Sequence, residues 1–174
     1  MILPHLGAAW SLARWMLRQP QEAEDAVQEA MLRAFKSFHA HAGASPRAWL
    51  LAIVRNTCLN AIERRRAEGK VVVLAEAMSA QDRPGEVQDP APLADAVLIS
   101  EEERRRVHVA IAALPLQFRE VLVLREFHDL SYQEIADTVR APIGTVMSRL
   151  ARARERLASH LSESGLQQGA GKRT

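Results

Sequence analysis

Cysteine, aromatic residues and long apolar runs are all scarce in this chain of 174 residues. The single cysteine, Cys58, excludes an internal disulfide framework and fits a reducing cytoplasm. No apolar run approaches the roughly 20 residues that a membrane-spanning helix needs, so we expect no membrane insertion and a cytoplasmic location. Ala, Leu, Arg and Glu dominate the composition, which favours helices over strands.

Residues with catalytic or metal-binding chemistry are also few. Cys58 sits beside predicted helix-core positions, which is typical of a small buried residue rather than a nucleophile. His39 and His41 form the only close histidine pair and have no cysteine nearby, which argues against a metal site. No glycine-rich loop follows a strand, so nucleotide hydrolysis has no support. We therefore expect no enzymatic activity, no metal and no cofactor.

Charge is distributed unevenly along a chain whose net charge is only +2. Residues 1–67 carry nine Lys and Arg against five Asp and Glu, residues 68–99 carry two against six, and residues 100–174 carry twelve against ten. Basic segments attract polyanions such as the phosphate backbone of nucleic acids. The alternative is that these charges only solvate helix surfaces.

The hydrophobic pattern predicts an all-α fold of two small helical domains joined by a flexible linker. An N-terminal module covers residues 1–67, and a C-terminal module covers residues 100–161. The acidic segment 68–99 between them is rich in proline between residues 81 and 92, which indicates an extended linker. Residues 162–174 are predicted to form a disordered tail.

Three helices are predicted in the N-terminal module. The first runs from Leu6 to Leu17. The second has an uninterrupted amphipathic stripe between residues 22 and 38, formed by Ala23, Ala26, Val27, Ala30, Met31, Ala34, Phe35 and Phe38. After a loop, Ser45 can cap a third helix that has Pro46 at its first position and runs to Arg66.

The C-terminal module contains the outline of a helix-turn-helix. Ser131 and Glu134 have the spacing of a capping box, which satisfies backbone amides at a helix start. The short turn from Arg140 to Pro142 separates this helix from a longer basic one, whose predicted buried stripe is Val146, Leu150, Ala153 and Leu157. Two short helices, a tight turn and a longer basic helix are typical of a DNA-reading module.

The opposite face of the last helix suits duplex DNA. Thr145, Ser148, Arg149 and Arg152 project away from the apolar stripe. Arginine can bond a guanine edge with two hydrogen bonds, and serine or threonine can contact bases or phosphates. The backbone amides of Gly144 and Thr145 are candidates for holding a phosphate at the helix start. For Arg154 and Arg156 we favour an ordinary solvated face.

Two blocks of residues together resemble the extracytoplasmic-function (ECF) sigma factors of the sigma-70 family. The later block, which resembles region 4, includes Leu130-Ser131-Tyr132-Gln133-Glu134-Ile135-Ala136 and Gly144-Thr145-Val146-Met147-Ser148-Arg149-Leu150. The earlier block, which resembles region 2, includes Ala23-Glu24-Asp25-Ala26-Val27-Gln28-Glu29, Trp49-Leu50, Ile53-Val54-Arg55-Asn56 and Arg64-Arg65-Arg66. The blocks occur in the right order and cover roughly three-quarters of the chain.

The resemblance implies an alternative sigma factor that binds core RNA polymerase and directs promoter-specific initiation. Region 4 of such proteins reads the −35 element, and the matching positions here are Gly144, Thr145, Met147, Ser148, Arg149, Ala151 and Arg152. Met147 stands where a basic residue is frequent in the family, and Arg140 replaces the usual turn glycine. These departures concern the −35 sequence that is read, not the mode of binding.

Region 2 of the family recognises and melts the −10 element and docks on a coiled coil of the largest polymerase subunit. The positions implied for the −10 element are His39, His41, Asn56, Asn60, Arg64, Arg65 and Arg66. The positions implied for polymerase are Asp25, Gln28, Glu29, Leu32 and Arg33, for which plain solvent exposure is the alternative. Trp49 either packs in the core, which we favour, or stacks on a base.

The resemblance also implies an anti-sigma factor as a partner, and two other functions are open as alternatives. The family is commonly held inactive by an anti-sigma factor that clamps both modules, and the linker permits the closed arrangement that this requires. A stand-alone helix-turn-helix transcriptional regulator is a second hypothesis, but it does not need the complete N-terminal module. An adaptor that mimics a sigma factor and sequesters its anti-sigma factor is a third, disfavoured by the arginines of the last helix.

Overall fold

The computed structural model describes residues 3–37, 45–68 and 101–170, and the described chain is helical without a strand. This confirms the predicted all-α class. The predicted linker after Glu68 lies outside the described residues. After a 3-10 turn at Leu3–His5, the helices are α1 (Leu6–Leu17), α2 (Pro20–Ser37), α3 (Pro46–Ala67), α4 (Glu101–Ala113), α5 (Leu116–Glu126), α6 (Tyr132–Val139) and α7 (Ile143–Ala170).

The N-terminal module is a bundle in which α1, α2 and α3 each contact the other two. The fully buried Leu12, Leu50 and Val54 form its centre. Helix α3 begins as predicted, because Pro46 occupies its first turn and the Ser45 hydroxyl accepts a hydrogen bond from the amide of Ala48 at 3.5 Å. Cys58 is also fully buried in this core, in agreement with the role predicted for it.

The amphipathic stripe of α2 is buried for most of its predicted length. Its five buried members are Ala23, Ala26, Val27, Ala30 and Ala34. Met31 is half-buried, whereas Phe35 is 61% exposed, so the prediction that Phe35 faces the core was wrong. The buried alanines lie in a helix that contacts both α1 and α3, whereas most of the Phe35 ring is left outside these contacts. Phe38 lies outside the described residues.

The C-terminal module packs α4, α5 and α6 against α7. The capping box at Ser131 is present with both of its reciprocal hydrogen bonds. Arg140 ends α6 in the left-handed conformation with φ of 53°, which glycine adopts more readily than other residues. The predicted stripe of α7 is buried at Val146, Leu150 and Ala153.

Helix α7 continues beyond the predicted end of the C-terminal module. It reaches Ala170, so a helical backbone occupies part of the range for which the sequence predicted a disordered tail. The remaining residues of that tail, 171–174, lie outside the described part of the chain.

The two modules pack directly against each other. Helix α1 contacts α5, and α3 contacts α6. The indole of Trp15 on α1 stacks on His108 of α4, with ring centroids 5.0 Å apart, and lies 5.5 Å from the ring of Phe127. Because the N-terminal module covers its outer side, α5 is buried at every position from Phe118 to Leu124. The described modules are therefore in a closed arrangement.

Candidate nucleic-acid interface

The start of α7 presents the predicted reading residues on one side of the C-terminal module. Gly144, Met147, Ser148, Ala151 and Arg152 are exposed, whereas Thr145 and Arg149 are half-buried. The buried stripe of the same helix fixes this orientation, because residues at a 3.6-residue period share one face. The exposed side therefore combines hydroxyl, guanidinium and apolar groups that suit base edges.

Local hydrogen bonds decide which groups of this face are available to DNA at Ser148 and Thr145. The Ser148 hydroxyl donates to the carbonyl of Thr145 at 3.0 Å, which leaves its oxygen lone pairs directed outwards as acceptors. The amide of Thr145 donates to the carbonyl of Pro142 at 2.9 Å, so it is not available for the predicted phosphate contact. Gly144 has open space where a Cβ would lie, and its amide is the remaining candidate.

Arg149, one of the predicted reading residues, lies close to the buried carboxylate of Glu120. Its Nη1 lies 3.8 Å from Oε1 of Glu120 on α5. The same carboxylate accepts two hydrogen bonds from Arg55 on α3, from Nε at 2.7 Å and from Nη2 at 3.1 Å. An arginine of the N-terminal module and an arginine of the reading helix thus meet at one carboxylate.

The other two arginines of α7 point away from the reading face. The Arg154 guanidinium pairs with Glu126 at 2.7 Å, which raises the pKa of Arg154, and both side chains are about half-exposed. The Arg156 guanidinium lies over the ring of Phe118, 5.1 Å from its centroid. These contacts agree with the interpretation that Arg154 and Arg156 belong to a solvated surface rather than to the reading set.

The residues predicted for the −10 element are only partly described, because His39 and His41 lie outside the described residues. On α3, Asn56 is half-buried and Asn60 is exposed. Arg66 is exposed, and the other two arginines approach acids of α2, Arg64 at 3.8 Å from Glu29 and Arg65 in contact with Glu22. Phosphate contact by Arg64 or Arg65 would therefore compete with an ion pair. Trp49 packs against the core, as we favoured.

The residues predicted for polymerase lie on the outer face of α2. Asp25, Gln28, Leu32 and Arg33 are exposed, and Glu29 is half-buried between Arg33 and Arg64. Leu32 is 63% exposed, close to the value for Phe35. Phe35, which the sequence pattern assigned to the core, therefore extends this surface.

Several buried polar residues were missed by the sequence reasoning. Burial, with a smaller contribution from Arg18, lowers the pKa of Arg119 to about 10, and its Nη1 donates to the carbonyl of Ala112 at 3.0 Å. The burial of Cys58, in contrast, was predicted, and it raises the pKa of the thiol to about 12, which keeps the thiol protonated at neutral pH. Glu120 and His128 are also buried, although nothing in their local sequence marks them as such.

Known protein families match both modules. A model described as Sigma-70 region 2 matches residues 1–68, and one described as Sigma-70, region 4 matches residues 104–157. The RNA polymerase sigma-H factor of Pseudomonas aeruginosa is 36% identical over 140 residues, which cover 78% of this chain and 70% of that protein. The ECF RNA polymerase sigma-E factor of Escherichia coli K12 is 36% identical over 139 residues, covering 77% and 71%.

The chain belongs to the ECF sigma factors of the sigma-70 family. The resemblance drawn from its two blocks is thereby confirmed, and so is the predicted function of an alternative sigma factor in transcription initiation. Both region models match this sigma factor in order, which a stand-alone helix-turn-helix regulator would not require. Among the described helices, none combines the length and the hydropathy that a membrane-spanning segment requires.

Solved structures share the fold of this sigma factor. The sigma factor RpoE, in complex with the anti-sigma factor NepR from Bartonella quintana, matches with a TM-score of 0.71 and 26% identity, covering 92% of this chain and 94% of that one. The structure of CnrH in complex with the cytosolic domain of CnrY matches with a TM-score of 0.61 and 22% identity, covering 93% and 85%. The second likeness concerns the fold alone.

Proposed function

We propose that this sigma factor binds core RNA polymerase in the cytoplasm and selects promoters at two points, the −35 element through α7 and the −10 element through α3. The observation that carries the proposal is the face of α7, where exposed Ser148 and Arg152 stand opposite the buried Val146, Leu150 and Ala153. The protein acts by binding and has no catalytic chemistry of its own. Its modules correspond to residues 1–67 and 100–161, with 68–99 as the linker.

At the −35 element, α7 enters the major groove with its first turns. Arg149 and Arg152 read guanine edges, and the Ser148 oxygen, whose proton is donated to Thr145, accepts from a base amino group. Met147 is 53% exposed and offers an apolar surface where the family often has a basic residue. Gly144, Thr145 and Ala151 allow the backbone of α7 to approach the DNA closely.

At the −10 element, α3 and the loop before it hold the melted strand. The amides of Asn56 and Asn60, four residues apart, bond unpaired base edges, while Arg64, Arg65 and Arg66 contact the backbone. The ion pairs of Arg64 and Arg65 with α2 have to be exchanged for phosphate in this step. His39 and His41 are assigned to the loop part of the same site.

The face of α2 is proposed as the polymerase-binding surface. Asp25, Gln28, Glu29, Leu32 and Arg33 contact the coiled coil of the largest subunit. Two large apolar side chains that are more than half exposed on one helix are typical of an interaction site, which supports this assignment for Leu32 and adds Phe35. An anti-sigma factor is a further partner, because RpoE, whose likeness covers 92% of this chain, was solved in complex with the anti-sigma factor NepR.

Transcription in vitro with purified core polymerase and a promoter library tests the proposal as a whole. We expect specific initiation from a subset of promoters, and no gain over core polymerase alone would refute it. Footprinting without polymerase then tests the alternative regulator, which would protect an operator by itself.

The contribution of Arg152 gives a sharper test of −35 reading. We expect Arg152→Ala to cost about 1–3 kcal/mol of discrimination between −35 sequences, because a paired guanidinium–guanine contact is lost. The measurement is the ratio of initiation rates on the best promoter and on promoters with single −35 changes. Arg156→Ala is the matched control, since its guanidinium lies over Phe118. An equal loss on every sequence would indicate a phosphate contact instead.

The apolar face of α2 gives a separate test of polymerase binding. We expect Leu32→Ala to weaken the complex with core polymerase about tenfold, because a leucine buried at an interface contributes about 1.5–3 kcal/mol. Competition against a labelled sigma factor measures the affinity. Leu3→Ala is the control, since Leu3 is 71% exposed on the 3-10 turn. Equal effects of the two variants would contradict the assignment of this surface.

A further inference from the structure

A single buried carboxylate joins the two modules. Glu120 is 3% exposed on α5, and the Arg55 side chain that grips both of its oxygens is 11% exposed. Two parallel hydrogen bonds between a guanidinium and a carboxylate form a strong and geometrically specific pair. Because Arg55 lies on α3, this pair exists only while the modules are closed.

The same carboxylate is the anionic neighbour of a reading residue. Arg149 lies 3.8 Å from Oε1 of Glu120, too far for a hydrogen bond but within the range of an ion pair. Arg55 holds the short contacts, so the carboxylate is shared unequally between the two arginines. All three side chains line one cleft of about 450 Å³ between α3, α5 and the turn before α7.

Separation of the modules leaves Glu120 without its main partner. Separation also admits water to Glu120, because the N-terminal module covers α5, so the carboxylate keeps its charge and attracts the nearest guanidinium that remains in its own module. Arg149 is already 3.8 Å away and belongs to the same module, so a rotation of its side chain is enough to complete the pair. A guanidinium fixed through one edge by a carboxylate keeps its remaining donors directed outwards.

We propose that Glu120 is exchanged between Arg55 and Arg149 when the sigma factor opens. In the closed form Glu120 holds the modules together through Arg55, and in the open form it is a positioning residue that orients Arg149 for base reading. The exchange links release of the N-terminal module to completion of the reading face. It rests on the proposed role of Arg149 at the −35 element.

The first measurement is the size of the full chain in solution by small-angle scattering. We expect Arg55→Gln and Glu120→Gln each to increase the radius of gyration, because each removes the charge pair between the modules. The matched control is Glu126→Gln, since Glu126 pairs with Arg154 inside the C-terminal module and its loss leaves the size unchanged. Unchanged dimensions for both Arg55→Gln and Glu120→Gln, with normal helix content, would overturn the proposal.

The second measurement is sequence preference, which a merely structural pair would not change. Each variant binds a duplex carrying the −35 element of the best promoter from the transcription assay, and a duplex with that element scrambled. We expect Arg55→Gln to bind the first duplex more tightly than wild type with an unchanged preference. Glu120→Gln opens the chain as well but loses about tenfold in preference, because Arg149 is no longer oriented. Preference equal to wild type in Glu120→Gln would overturn the exchange.

Charge reversal keeps the test decisive if one neutral variant fails to fold. Arg55→Glu opens the chain by repulsion from Glu120, and its combination with Glu120→Arg restores the compact size. The combination does not restore sequence preference, because a cation now faces Arg149. Arg149→Ala separates the two proposals. If it leaves preference unchanged, the −35 assignment of Arg149 fails, and if it removes preference while Glu120→Gln does not, the exchange fails.

Discussion

His128 lies where the C-terminal module meets the first turn of α3. Its imidazole is 3% exposed, and within the described structure its Nε2 has no hydrogen-bond partner. Burial and, to a smaller extent, the charge of Arg47 lower the pKa of His128 from 6.5 to about 4, against an opposing effect of Asp129. The native protein therefore holds this imidazole neutral, and a proton on it would be both buried and close to a guanidinium.

Acid is expected to weaken the fold through this residue. The pKa of His128 is lower in the folded chain than in the unfolded one, so the stability that it confers is complete above about pH 6.5 and is lost as pH falls toward 4. Between about pH 7.5 and 5.5 we expect a loss of about 1 kcal/mol in the free energy of unfolding. Urea unfolding of wild type and His128→Gln at both pH values measures it.

The difference between the two proteins isolates His128. Burial also lowers the pKa of His108, but His108 is present in both proteins and its effect cancels. The variant is expected to lose the part of the pH dependence that belongs to His128. An identical pH dependence in both proteins would contradict the expectation.

The burial of a residue was predictable from the sequence only where the helical periodicity of its neighbours indicated it. The stripe of α7 and the burial of Cys58 followed from helical periodicity. The burial of Arg119, Glu120 and His128 did not, because each lies near an arginine of the N-terminal module, where the two modules meet. Charged residues are almost never fully buried without a partner, so their sequence positions indicated exposure.

At the scale of the elements, α6 shows how local chemistry defines a helix of only eight residues. The Ser131 hydroxyl accepts from the amide of Glu134 at 3.2 Å, and Glu134 Oε2 accepts from the amide of Ser131 at 2.8 Å. The hydrogen bonds that the Glu134 carboxylate accepts from the amide and the hydroxyl of Ser131 lower its pKa. At the other end, Arg140 closes the helix in a conformation that disfavours L-residues, and its amide donates to the carbonyl of Ala136.

The capping box is expected to contribute measurably to stability. We expect Ser131→Ala to lower the free energy of unfolding by about 1 kcal/mol. The variant lacks the hydroxyl that accepts from the amide of Glu134 and donates to its carboxylate. Chemical denaturation of the full chain measures the change. Ser159→Ala is the control, since the Ser159 hydroxyl donates only to the carbonyl of Glu155 within α7, and its effect should stay within about 0.5 kcal/mol. Equal losses in the two variants would argue against a capping contribution.

The helices themselves were largely predictable. The bounds of α1, the cap of α3 and the helix-turn-helix all agree with the sequence pattern, because capping and amphipathic periodicity are encoded within a few residues. Phe35 is the exception on α2, since its position on the apolar stripe gives no information about the width of the contact with α1 and α3. The exposure of this ring is explained if Phe35 contacts a partner, as the proposed polymerase-binding surface of α2 requires.

At the scale of the whole molecule, the modules were predictable and their docking was not. The order of the two blocks identified the family, but Arg55 and Glu120 are 65 residues apart in sequence. Their pairing depends on how two folded surfaces meet, which no local periodicity encodes. The −35 and −10 residues likewise remain assignments from matched positions. The closed arrangement combines the contacts of α1 with α5 and of α3 with α6, the stacking of Trp15 on His108, and the ion pair of Arg55 with Glu120.

The contact of Trp15 with His108 and Phe127 gives the sigma factor a built-in optical signal. All three tryptophans, Trp10, Trp15 and Trp49, precede residue 50, so indole emission reports on the N-terminal module alone. In a background of Trp10→Phe and Trp49→Phe, we expect Arg55→Gln to shift the emission to longer wavelength, because Trp15 leaves its stack and meets water.

Fluorescence spectra of the same background with and without Arg55→Gln make the comparison. A matching Glu126→Gln variant should leave the spectrum in place, and an unchanged spectrum in the Arg55 variant would mean that the ring contact outlasts the charge pair. Stopped-flow mixing with core polymerase then follows the emission wavelength of Trp15 over time. The rate at which the two modules of the sigma factor separate can therefore be measured by intrinsic fluorescence, without an attached dye.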